Sequence, residues 1–77
     1  MYEYKIHYLL DGDDMNQRNY RSNSKVSIGD VLELESGFFH VVVEIHHQKT
    51  QVRIDVSESA ESKEVSILLA QQAELIN

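Results

Sequence analysis

The chain has 77 residues, too few to bury two separate cores, so one domain over residues 1–77 is expected. Thirteen acidic against seven basic side chains leave a net charge of −6, which opposes non-specific attachment to nucleic acid or anionic lipid, whose phosphates need Lys and Arg. With no cysteine, disulfides and thiolate metal sites are excluded, and stability must come from packing or from a partner subunit.

In chain order, MYEYKIHYLL lacks a basic start, a continuous apolar stretch and a small-residue cleavage site, so no signal peptide is expected. No window approaches the roughly 20 apolar residues that span a bilayer. Together with the absence of cysteine, this points to a cytoplasmic protein without a membrane partner. Within that stretch Tyr2, Tyr4, Ile6, Tyr8 and Leu10 alternate with Glu3, Lys5, His7 and Leu9. Side chains on a strand point to opposite faces with period two, so a half-buried strand is predicted.

DGDDMNQ is dense in turn formers, and Asp11 and Asp13 mimic the start of a calcium loop. The mimicry then fails, since Met15, Asn16 and Ser22 stand where a ligand, the glycine and the bidentate Glu belong. RNYRSNSK follows and reads either as a short edge strand or as an extended loop. Next come VLELE, the Ser36-Gly37 turn and FFHVVVEIHH, then QKT and QVRIDVS, each arm alternating. Three strands with short connections make an antiparallel meander over residues 31–57.

Strict alternation along the middle arm puts Phe39, Val41, Val43 and Ile45 on one face, and Phe38, His40, Val42, Glu44 and His46 on the other. The expected core is Ile6, Phe39, Val41, Val43, Ile54 and Leu69. The tail from Ser57 fits a helix better than a strand over residues 60–75, because Ala, Gln, Glu and Leu favour helix and the segment exceeds strand length. Its apolar stripe would be Val65, Leu68, Leu69, Gln72, Ala73 and Ile76, with Ser57 or Ser59 as the cap.

The pair His46-His47 raises the question of a metal site. On a strand the two rings point to opposite faces, and no carboxylate sits at a standard ligand spacing, so no metal and no cofactor are expected. No nucleophile elbow, phosphate-cradling glycine loop or zinc-protease helix occurs, so the chain is not expected to be an enzyme. Alternation leaves Phe38, His40, Val42 and His46 on the face opposite the core. An exposed apolar pair in a polar surround suits a protein partner or a homodimer, unless the helix covers that face. The runner-up is a nucleic-acid-directed role, either through Arg18, Tyr20, Arg21 and Lys25 or by acidic mimicry. The neighbouring aspartates would largely cancel that basic segment.

The Gly-Asp, short strand, turn and long β-branched strand of residues 29–57 resemble small bent-sheet domains, including SH3-like barrels. No diagnostic motif accompanies the resemblance, so it implies no functional residues. The expectation is therefore an α+β, mostly-β domain: a small curved antiparallel sheet of four or five strands, SH3-like in outline, with one C-terminal helix. Its expected role is a non-catalytic interaction module, binding another protein or itself through a sheet edge or an exposed apolar face.

Overall fold

A computed structural model describes residues 1–9 and 17–75. The acidic turn at 11–14, with its calcium-like start, lies outside the described residues, as do Leu10 and Ile76. The described chain forms β1 (Tyr2–Tyr8), β2 (Asn19–Ser22), β3 (Val31–Glu33), β4 (Phe39–His47), β5 (Val52–Val56) and α1 (Lys63–Gln72). The strands make one curled sheet, a half-barrel, in the order β2-β1-β5-β4-β3. RNYRSNSK thus supplies an edge strand.

The meander forms as alternation predicts. Val31 faces Val41 and Glu33 faces Phe39 across β3–β4. Gly37 turns the chain at φ +88°, its N–H donating to the Leu34 carbonyl. At the other end the Gln48 N–H donates to the Gln51 carbonyl and starts β5. An all-antiparallel sheet is not what forms, however. β1 pairs with β5 in parallel, Ile6 beside Ile54 and His7 beside Asp55. Parallel neighbours need a long crossover, and the chain from β2 to β4 provides it. This mixed order does not confirm an SH3-like barrel.

The inner face of the curl buries Tyr4, Ile6, Leu32, Leu34, Val42, Ile54 and Val56, with Val26 beneath the Tyr4 hydroxyl, which accepts its N–H at 2.9 Å. On the outer face Val41 and Val43 are buried with Ala70 of α1. Of the expected core, Ile6, Val41, Val43 and Ile54 are buried, whereas Phe39 and Leu69 are only half-buried.

The face assignment along β4 needs correction. The pairing steps from Val42↔Val56 to Glu44↔Asp55, a bulge that leaves Val43 without a pairing partner on β5. The extra residue shifts the alternation, so Ile45 joins Val42 on the inner core while His46 turns to the face of Asp55. His40 and His46 therefore lie on opposite faces.

The tail is a helix, and its cap is neither Ser57 nor Ser59. The Ser62 Oγ accepts the Val65 N–H at 3.2 Å, with Glu64 in the first turn where the dipole favours an acid. Ser57 is buried at the end of β5, where its Oγ accepts the Val41 N–H at 2.9 Å. The expected stripe is also largely inverted. Ser66 and Ala70, one turn apart, are buried against the sheet, while Val65, Ile67 and Leu68 face solvent. Large valines already fill the outer face of β4, so a helix lying close on it must present small residues.

Candidate functional site

The four residues of the expected interaction face do not form a surface. Phe38 is 40% exposed, but His40 and Val42 are fully buried. The His40 Nδ1–H donates to the Ser57 carbonyl at 2.8 Å, and its ring meets Tyr8 edge-on with centroids 5.5 Å apart. Val42 is core because the sheet curls around it, not because the helix covers it, since α1 lies on the opposite face. His46 is half-buried on that opposite face.

The basic segment does not assemble as one patch either. Arg18 is exposed, while the Arg21 Nε donates to Glu3 Oε2 at 2.9 Å across the β1–β2 ladder. Tyr20 packs on the inner core. Lys25 lines a cleft of about 210 Å³ with Tyr2, Tyr4, Val26, Ile45 and His47, at the end of the sheet where β4 finishes.

On the outer face the structure assembles a cluster that the sequence did not reveal. The buried Asp55 carboxylate accepts the His46 Nε2–H at 2.9 Å and the His7 Nδ1–H at 3.2 Å. Arg53 Nε lies 3.1 Å from Oδ1, within ion-pair range though outside hydrogen-bond geometry. One carboxylate thus fixes two imidazoles from neighbouring strands on either side. The rings approach different oxygens of the same acid. Among the described residues, no group of three or more His, Cys, Asp or Glu side chains could hold a metal ion. The missing signal was the parallel register of β1 with β5, which brings His7 beside Asp55 from 48 positions away.

Two further surfaces stand out. The first is the outward side of α1, where Leu68 is 51% exposed beside Val65 and Ile67. A cleft between this helix and the turn before β3 is lined by Ile67, Gln71, Leu75, Val43 and Ile28, the last 58% exposed. The second is the opening between β2 and β3, the two edges of the half-barrel. They do not pair, and a cleft of about 480 Å³ separates them, lined by Gln17, Asn19, Tyr20, Arg21, Glu33 and Glu35. The Gln17 carboxamide spans it, Nε2 donating to the Asn19 carbonyl and Oε1 accepting the Glu35 N–H, both at 2.8 Å.

No helix among the described residues is long and apolar enough to cross a membrane. Comparison with protein-family models, with curated proteins and with solved structures finds no match for this chain.

Proposed function

We propose that the chain is a non-catalytic interaction module, acting in the cytoplasm, that binds another protein or a second copy of itself through the outward face of α1. The observation that carries this reading is the inverted helix. Its small residues, Ser66 and Ala70, are buried, and its large apolar ones, Val65, Ile67 and Leu68, meet water. Burying apolar area is worth about 25 cal/mol per Å², so a helix that keeps its largest apolar groups in solvent forgoes that gain unless a partner covers them. Ile28 stands across the adjoining cleft and extends the apolar surface beyond the helix.

The non-catalytic reading draws on the setting of the Asp55 cluster. It stands on the outer face of the sheet, with His7 and His46 about half exposed, whereas acid–base catalysis works best in a concave site that excludes water. A nucleic-acid role through Arg18, Tyr20, Arg21 and Lys25 has less support, because Glu3 neutralises Arg21 and the Tyr20 ring is engaged with the core.

The test is affinity capture from the native cell with wild-type and Leu68→Glu baits, alongside light scattering of both purified proteins. Leu68 is exposed, so the substitution should leave the circular dichroism spectrum unchanged. Proteins retained by the wild type and lost from the variant, or a self-associated mass lost in the variant, would support the reading. Identical retained proteins and a monomeric mass for both would overturn it.

A further inference from the structure

We infer that the opening between β2 and β3 is a binding slot for one extended peptide segment, in which apolar residues alternate with basic ones. The inference rests on the reading of the chain as an interaction module but uses a surface distinct from α1.

The first ground is the backbone. Ile6 N–H donates to the Arg18 carbonyl, so residues 18, 20 and 22 bond toward β1. The alternation of an antiparallel ladder then sends the N–H and C=O groups of Asn19 and Arg21 away from it, into the opening. Val42 N–H donates to Asp30, so by the same rule the groups of Val31 and Glu33 point outward from β3. Two rows of main-chain donors and acceptors face each other across one gap.

The second ground is the width of that gap. Gln17 bonds both edges through a single amide, acceptor oxygen to β3's side and donor nitrogen to β2's. With an O-to-N separation of about 2.3 Å within an amide, Glu35 N and Asn19 O are at most about 8 Å apart. One peptide group of an inserted strand spans the same distance with the same polarity, C=O to one neighbour and N–H to the other. Gln17 thus occupies the place of one such group, so the opening there is one strand wide and an inserted segment takes over the bonds of its carboxamide. A segment filling it would close the half-barrel and leave no unpaired edge.

The third ground is the chemistry of the flanks. The inward side chains are Tyr20 of β2, Leu32 of β3 and Leu34 just after it, all on the inner core, so the inner positions of the segment should be apolar. On the outer side Glu33 and Glu35 line the cleft as acids, while Arg21 is already held by Glu3. The outer positions should therefore be basic.

The probe is a blocked heptapeptide of alternating lysine and valine, titrated into the isotopically labelled full chain. Binding should shift the amide signals of Asn19, Arg21, Val31 and Glu33 and slow their hydrogen exchange. The same peptide methylated on its backbone nitrogens should bind at least about tenfold more weakly, and so should one with glutamate for lysine. A Glu33→Lys/Glu35→Lys variant, altered only at exposed positions, should reverse the preference between the lysine and glutamate peptides. The inference is overturned by no response at about 1 mM, by equal binding of the methylated peptide, or by shifts confined to α1. Slow exchange at these amides in the free protein, with a mass above the monomer, would show a second copy filling the slot and would also overturn it. Leu68→Glu should leave peptide binding unchanged, so failure of the slot and failure of the helix surface are separable.

Discussion

At the residue scale, the end of α1 shows how a side chain can sit against its conformational preference. Leu75 N–H reaches back to the Ala70 carbonyl and Glu74 N–H to Gln71, the bond pair that closes a helix through a left-handed residue. That residue is Glu74, at φ +60°, where glycine is the usual occupant. A non-glycine residue there costs about 1–2 kcal/mol, and part of that relief is offset by the unfolded-state freedom of glycine. Glu74→Gly should therefore stabilise the fold by about 0.5–1 kcal/mol in urea denaturation, and a loss of stability would contradict this closure. Asp55 behaves oppositely, because it is buried with His46, Arg53 and His7 gathered on it. Asp55→Ala should cost about 1–3 kcal/mol, discounted from a fully buried pair because its partners remain partly in water. His7→Ala, which removes a side chain more than half exposed, should cost less than about 1 kcal/mol by the same measurement. Equal losses would mean that His7 does more than satisfy the acid. Neither feature was legible in the sequence. The helix closure depends on one backbone angle, and the Asp55 cluster on a pairing between segments 48 positions apart.

At the element scale, period-two patterning holds wherever no bulge interrupts a strand. Leu32 and Leu34 around their glutamates, and Val52, Ile54 and Val56 in QVRIDVS, lie inward as period two requires. Patterning failed at the bulge, because VVVE has no glycine or turn former to mark where the alternation slips. That slip separated His46 from His40, while the curl of the sheet buried His40 and Val42, and together they removed most of the expected interaction face. Patterning fails again on α1, where spacings of three and four select Val65, Leu68 and Leu69 although the sheet beneath has room only for small residues. The packing makes the error testable. Ser66 Oγ is buried and has no hydrogen-bond partner among the described residues. Ser66→Ala should be neutral or stabilise by up to about 1 kcal/mol, since it removes an unsatisfied hydroxyl and favours helix. Ser66→Leu should cost about 1–3 kcal/mol by forcing the helix off Val41 and Val43. Val43→Ala should destabilise by a similar amount, about 1–3 kcal/mol, because Val43 is buried under Ala70. Chemical denaturation of these three variants tests the close seating, and free acceptance of leucine at position 66 would disprove it.

At the scale of the whole molecule, the chain builds a core on each face of a single thin sheet, and its curl stops short of closure. So small a domain buries only about 60% of the surface its unfolded chain exposes, and this one has no disulfide. Stability gained by covering Val65, Ile67 and Leu68 would therefore be a large share of the total. If a second copy covers them, unfolding becomes linked to association, and the melting temperature must rise with protein concentration. Each tenfold increase adds about 1.4 kcal/mol per dimer. About 1 kcal/mol moves the midpoint of a unit the size of two chains by roughly 2–4 °C, so a hundredfold concentration series should show the effect clearly. Leu68→Glu should flatten the dependence by placing a charge in the covered face, whereas Phe38→Glu, outside α1, should leave it intact. A midpoint independent of concentration would assign the helix face to a different protein. Dependence lost in Phe38→Glu but kept in Leu68→Glu would move the self-interface to the β3–β4 turn.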